Sequence, residues 1–270
     1  MRGDNIALLT HRPHSSPSGF TFVYSTRMIG DQCVAANKSI GGGNSFQFPL
    51  YAYDSEPDTG DQQMALGLPM SPDTRQPNIH PDFISEAERN LGLRFVRDGR
   101  GDLADTLGPE DIFFYIYAVL HSPAYRERYA QFLRREFPRI PFTSSPQVFR
   151  KLVEKGAELI AVHVMESPLL GEVFVRFPVP GSNEVDVVRF SESEQRVWIN
   201  RTQYFEGIAG ELWLFSVGGY QVCDRWLKDR KGRKVSYQDV SHFQKMVTAI
   251  KETMRLMSEI DAIIPSWPIN

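Results

Sequence analysis

The sequence predicts an α+β fold: a mixed or antiparallel β-sheet, a helical insertion and a long C-terminal helix. Three observations predict it. Strand-like apolar alternation occurs before residue 54 and returns after residue 171. Between the two, helix starts follow one another, each with proline at the first helical position. Residues 236–265 then carry a capped apolar run at helical spacing.

Residues 5–10 (Asn-Ile-Ala-Leu-Leu-Thr) read as a strand that begins almost at once, as expected of a piece cut from a longer polypeptide. In residues 20–25, Phe20, Phe22 and Tyr24 alternate with Thr21, Val23 and Ser25, the period of a half-buried strand. Residues 46–53 form the next strand, where Pro49 removes a ladder donor and so favours an edge or a bulge. Residues 54–80, rich in Asp, Pro, Gly, Gln and Ser without periodicity, read as a long surface connection.

A helix follows over residues 81–91, with Ile84, Ala87 and Leu91 on one face. Gly108-Pro109, Ser122-Pro123 and Ser145-Pro146 each start another, and residues 81–166 make a helical insertion. Strands are expected at 173–177, 185–190, 196–200 and 211–217. Strands flanking a helical block suggest one α+β domain in which early strands pair with late ones; the alternative is a separate β unit on each side. The division expected is residues 1–236 as one domain and 237–265 as a helix that acts as spacer or docking element. Ser236 caps that helix with Asp239 three residues on, and Val235 and Val240 form a hydrophobic staple. Phe243, Val247, Ile250, Met254, Met257 and Ile264 mark its apolar stripe, which packs on its own domain or docks another.

Composition bounds the function. A chain of 270 residues, 41% hydrophobic and 23% charged, has material for a core and is not a disordered segment. Two cysteines, Cys33 and Cys223, make no disulfide framework and fit a reducing cytoplasm. No apolar run approaches the roughly 20 residues that span a membrane. Catalytic signatures are missing: no P-loop, no dinucleotide fingerprint and no nucleophile elbow occur, and Gly41-Gly42-Gly43-Asn44 lacks the lysine a phosphate cradle needs. His11 and His14 have no partners that complete a zinc site. No cofactor and no metal are expected.

Against a net charge of −3, residues 217–236 are unusual. Gly218 and Gly219 allow a sharp turn, Tyr220 and Trp226 follow, and Arg225, Lys228, Arg230, Lys231, Arg233 and Lys234 then crowd together, opposed within the run by Asp229. A local cationic patch on an acidic protein suits a polyanion, or else is a solvated charged loop. Polar clusters elsewhere include Arg27 and Lys38 among early hydroxyls and amides, and Asn200, Thr202, Gln203 and Tyr204 between strands. These are side-chain types that contact phosphates and base edges.

Four stretches carry a resemblance. They are the run from Asp111-Ile-Phe-Phe-Tyr through His121-Ser-Pro-Ala-Tyr to Phe137-Pro-Arg-Ile-Pro-Phe142; Phe48-Pro-Leu-Tyr-Ala-Tyr53; Asn200-Arg-Thr-Gln-Tyr-Phe-Glu-Gly207; and Gly218-Gly-Tyr-Gln-Val-Cys-Asp-Arg-Trp-Leu-Lys-Asp-Arg-Lys-Gly-Arg233. Together they resemble the C-terminal specificity (target recognition) domain of Type ISP restriction-modification enzymes, with related stretches in Type IIG-like single-chain enzymes. The resemblance implies a module that is not an enzyme by itself and that reads a short double-stranded DNA sequence. It would present that sequence to an adenine-specific DNA methyltransferase domain, in a polypeptide that also carries a nuclease and a translocase.

On that reading the basic residues Arg225, Lys228, Arg230, Lys231, Arg233 and Lys234 neutralise phosphates. Arg12, Arg27, Lys38, Gln47, Asn200, Gln203, Tyr220 and Gln221 are the candidates for base edges. The rival is a protein-interaction scaffold with no DNA binding of its own. A third reading is a hydrolase with an unrecognised carboxylate site.

Overall fold

Two buried clusters, joined by one long helix, organise the chain in a computed structural model that describes residues 5–11, 20, 23–28, 45–53 and 75–269. Strand β1 (Ala7–His11) is the centre of an antiparallel sheet, flanked by β2 (Val23–Thr26) and β3 (Ser45–Pro49). Leu8 stands opposite Ser25 on one side and Phe48 on the other. Pro49 ends β3, at the sheet's edge, as its missing donor requires. Past it, the Asn5 side chain both accepts from the Tyr51 backbone N–H (3.1 Å) and donates to the Tyr51 carbonyl (2.7 Å). Strand β4 (Tyr51–Tyr53) pairs with β5 (Arg75–Pro77), so residues 75–77 of the expected surface connection are a strand. Its residues 54–74, together with Gly41-Gly42-Gly43, Cys33 and His14, lie outside the described residues.

The helical block begins with α1 (Pro81–Leu91), then a two-residue parallel pair, β6 (Arg94–Phe95) with β7 (Thr106–Leu107). Helices α2 (Pro109–His121), α3 (Pro123–Arg128), α4 (Ala130–Leu133) and α5 (Pro146–His163) follow. Proline opens α2, α3 and α5 because a helix leaves its first N–H groups unpaired in any case. Ser122 and Ser145 accept from Tyr125 N and Val148 N, and Asp111 accepts from Gly108 N. The α2–α5 crossing is close: a Cβ at Gly156 would stand 2.0 Å from the Phe114 carbonyl oxygen.

The later strands are shorter than expected. Strands β8 (Arg189–Ser191), β9 (Arg196–Trp198) and β10 (Tyr204–Glu206) form an antiparallel sheet in the order β10-β9-β8. Residues 173–177 contribute an isolated bridge, Arg176 to Glu206, instead of a strand. Of residues 185–190, Arg189 and Phe190 belong to β8. Residues 211–217 are corrected: they hold most of helix α6 (Gly210–Leu214) and then strand β11 (Ser216–Val217). Leu212 and Trp213 are both buried there while Glu211 and Leu214 face out, which a strand's strict alternation does not allow. The pairing of early with late strands is corrected too. Among the described residues the early strands pair only with one another and with β5.

The chain closes through β12 (Tyr220–Gln221), α7 (Val222–Lys228) and α8 (Tyr237–Ile263). Ser236 and Asp239 form the capping box at the start of α8. At 27 residues, α8 is roughly 40 Å long. Its first half puts Phe243, Val247 and Ile250 into the cluster built from residues 175–235. Its second half puts Leu256 and Ile260 into the cluster of the early sheet and helical block. Each such side chain contributes roughly 1.5–3 kcal/mol on full burial. An exposed ion pair such as Arg255–Glu252 contributes about 0–1 kcal/mol. Apolar packing therefore fixes this helix to both clusters. Among the described residues no helix is long and apolar enough to cross a membrane.

Candidate nucleic-acid interface

Gly218 and Gly219 make the turn between β11 and β12, with φ of 61° and 82°. Positive φ at both central residues is what a two-residue hairpin of the favoured twist requires. The basic segment then starts as a helix and not as a loop. In α7, Cys223 and Leu227 are buried one turn apart, which fixes the inner face. Burial pushes the Cys223 thiol up to about 12, so it holds its proton.

The outward cations are less free than the composition suggests. Arg225 pairs with Asp229 at 3.0 Å and lies 5.5 Å over the Tyr220 ring. Lys228 pairs with Asp224 at 2.7 Å. Arg230 covers Trp226 at 3.5 Å and pairs with Asp239 at 3.1 Å. Arg233 donates to the Asp229 carbonyl. The expected single opposing acid, Asp229, is therefore joined by Asp224 and Asp239. Lys231 and Lys234 are exposed and make no ion pair among the described residues.

Asn200 and Gln203 are corrected: they face inward. Gln203 is fully buried and Asn200 nearly so. Gln203 Oε1 accepts from Asn183 N at 2.7 Å and from Asn200 Nδ2 at 3.0 Å. Its Nε2 donates to the Val179 carbonyl and to Asn183 Oδ1. Asn200 Oδ1 accepts from Gln203 N, and its Nδ2 also reaches the Glu184 carbonyl. With their polar atoms paired inside the fold, they position the turn and are not open to a base edge. The exposed residues of this turn are Arg201 and Thr202. Arg201, inside the quoted Asn-Arg-Thr-Gln stretch, was not among the expected candidates.

The turn and the basic segment are neighbours because the 183–185 segment bonds to both. Val235 N donates to the Asn183 carbonyl, Val185 N to the Arg233 carbonyl and Gly232 N to the Val185 carbonyl. Lys231, Lys234 and the Arg201 turn therefore belong to one tied unit of backbone.

The early candidates stand apart from that unit. Arg27 is exposed and pairs with Glu166 at 3.1 Å, and Gln47 Nε2 donates to the Met28 carbonyl at 2.9 Å. Arg12 and Lys38 lie outside the described residues. A cavity of about 380 Å³ separates the early strands from the hairpin, with Val23 and Tyr24 on one wall and Ser216 and Val217 on another. Tyr220 and Gln221, half-buried, belong to the hairpin side. Among the described residues no three His, Cys, Asp or Glu side chains are grouped to hold a metal.

Comparisons with known proteins bear on this arrangement. The sequence profile of a family described as the Type ISP C-terminal specificity domain matches residues 1–259. No curated protein matches the chain. Among solved structures it is similar to a DrdV–DNA complex, with 21% identity and a TM-score of 0.60 over 99% of this chain and 25% of that one. It is similar to a nuclease-deletion mutant of the Type ISP restriction-modification enzyme LlaGI in complex with a DNA substrate mimic. There the identity is 18% and the TM-score 0.59, over 100% of this chain and 22% of that one. It is also similar to the ATP-dependent Type ISP restriction-modification enzyme LlaBIII bound to DNA, at 16% identity and a TM-score of 0.65, over 100% of this chain and 16% of that one. The chain thus spans a quarter or less of the length of these proteins. At such identities the likeness is one of fold.

Proposed function

Because the chain belongs to the Type ISP C-terminal specificity domains, we propose that it recognises a sequence in double-stranded DNA on behalf of a restriction-modification enzyme. The observation that carries this reading is the family match over residues 1–259. The described likeness to DNA-bound structures supports it. The domain performs no catalytic step of its own. It serves an adenine-specific DNA methyltransferase domain, in the same polypeptide or in another, in the cytoplasm.

In this reading Lys231 and Lys234 are the principal phosphate contacts, since among the described residues neither makes an ion pair, and neither is held as Arg233 is by a hydrogen bond to the Asp229 carbonyl. Arg225, Lys228 and Arg233 add to the field, and Arg230 fastens the segment. Arg12, Arg27, Lys38, Gln47, Tyr220 and Gln221 are the proposed base readers, with Asn200 and Gln203 holding the turn that presents Arg201. Residues 1–236 make the recognition unit, with residues 81–166 as its helical insertion. Residues 237–265 supply the helix that ties the two clusters and docks the neighbouring domain.

A fluorescence-anisotropy titration of duplex DNA at low and higher salt tests the proposal. Affinity is expected to fall steeply with salt, as released counterions require. A folded chain that binds at neither salt, and that light scattering shows to self-associate, would instead be an assembly scaffold.

A further inference from the structure

We propose that the cavity between the two clusters binds a small organic acid, one anionic head on an apolar body. The space measures about 380 Å³, within the range of roughly 300–1,000 Å³ typical of small-molecule sites. Its wall is mostly hydrocarbon and thioether, from Val23, Val162, Val217, Met246, Ile250 and Met257. Methionines adapt to the shape of an apolar guest.

One charged group lines this wall, the Arg126 guanidinium. Its Nε donates to the Leu120 carbonyl at 2.7 Å. Among the described residues its two Nη groups meet no acceptor and it makes no ion pair. Burial lowers its pKa to about 10, which leaves it charged at neutral pH. The side chain is part-buried, so its unpaired Nη groups stand open to an anion that enters the cavity.

The two imidazoles of the wall are already engaged. His121 Nδ1 bonds the Tyr117 carbonyl at 2.8 Å. His163 bonds Tyr117 Oη at 2.6 Å through Nδ1 and Thr253 Oγ1 at 3.0 Å through Nε2. Burial holds both imidazoles neutral, His163 with a pKa of about 4, so neither can act as counter-charge. The planar fork of Arg126 matches two oxygens of a carboxylate. A duplex does not enter: its major groove alone is about 12 Å wide.

Calorimetric titration of the 270-residue chain with sodium octanoate, 1-octanol and inorganic phosphate tests the site. Octanoate is expected to bind saturably and about tenfold more tightly than octanol, the value of a charge-assisted hydrogen bond. Inorganic phosphate, without an apolar body, is expected to show no saturable heat. Arg126→Met should remove the preference for octanoate over octanol. Met246→Trp, which fills the cavity and keeps Arg126, should abolish octanoate binding, and it decides the matter if Arg126→Met does not fold. Equal affinity for octanoate and octanol, saturable binding of phosphate alone, no binding of octanoate, or octanoate binding that survives Met246→Trp would overturn the proposal.

Discussion

Arg230 and Asp239 join the basic segment to the start of the longest helix. Arg230 Nε donates to Asp239 Oδ1 at 3.1 Å, while Asp239 Oδ2 accepts from Ser236 N at 2.9 Å. One carboxylate thus caps α8 and neutralises a cation nine residues before it. The same guanidinium covers Trp226, whose ring meets Phe243 at 5.2 Å in the core. The segment that bears the exposed lysines is therefore tied to the core and to the cap.

Removing this joint is expected to cost stability. Asp239→Ala should destabilise the chain by about 1–2 kcal/mol, the loss of a cap and a half-exposed ion pair. Hydrogen bonds from Ser236, then from Arg230, hold the Asp239 carboxyl below its ordinary value of 3.8. A depressed carboxylate stabilises the fold above the unfolded pKa, and that contribution is lost as pH falls through the lower folded value. Acid unfolding followed by circular dichroism should accordingly be less pH-dependent below about pH 4 in Asp239→Ala than in the parent. Parallel acid-unfolding curves would remove Asp239 from this role.

Binding and stability should separate within the basic segment. Lys231→Ala and Lys234→Ala are each expected to weaken duplex binding and to lower the log–log salt slope by about 0.9. Their melting temperatures should match the parent, because neither lysine makes an ion pair among the described residues. Arg230→Ala should do the reverse, lowering the melting temperature more than the salt slope. Anisotropy at several salt concentrations, alongside thermal melts, measures both quantities. Salt slopes unchanged in both lysine variants would place the phosphate contacts elsewhere.

Gln203→Ala should behave as a core mutation. It removes acceptors and donors that serve Asn183, Asn200 and Val179, and unpaired buried groups cost about 1–3 kcal/mol. A lower urea midpoint with a loosened 183–185 segment is the expected outcome. A variant with wild-type stability and lost duplex affinity would make Gln203 a reader after all.

Gly156→Ala tests the helical block. The added methyl would lie 2.0 Å from the Phe114 carbonyl oxygen, so α2 and α5 must part. A loss of about 1–3 kcal/mol is expected, in the range of overpacked cores. A neutral result in chemical denaturation would show that this crossing has slack.

Local chemistry was legible in the sequence wherever a single residue does a local task. Proline after Ser122 and Ser145 marks helix starts, since those N–H groups need no helical partner. Ser236 with Asp239 marks a cap, and Gly218-Gly219 marks a turn that demands positive φ. Residues 211–217 misled because five residues of helix are too few to display a 3.6 period. The four quoted stretches pointed to the family through their wording, which no property of composition would have revealed.

Only the tertiary structure decided which of these residues remain available. Strand partners are set by contacts far apart in sequence, so the early strands' self-pairing was not written in their alternation. Asn200 and Gln203 look like surface amides until residues 179–184 fold over them and consume their hydrogen bonds. The basic run looks uniformly cationic until Asp224, Asp229 and Asp239 are brought beside it, leaving Lys231, Arg233 and Lys234 exposed and without an ion pair among the described residues. Arg126 sits among other arginines of the helical block and looks like one more solvated charge. Folding sets it, part-buried and without an ion pair among the described residues, against an apolar wall. Sequence determines charge and local geometry residue by residue; burial and pairing belong to the whole chain, because they depend on which distant atoms exclude water.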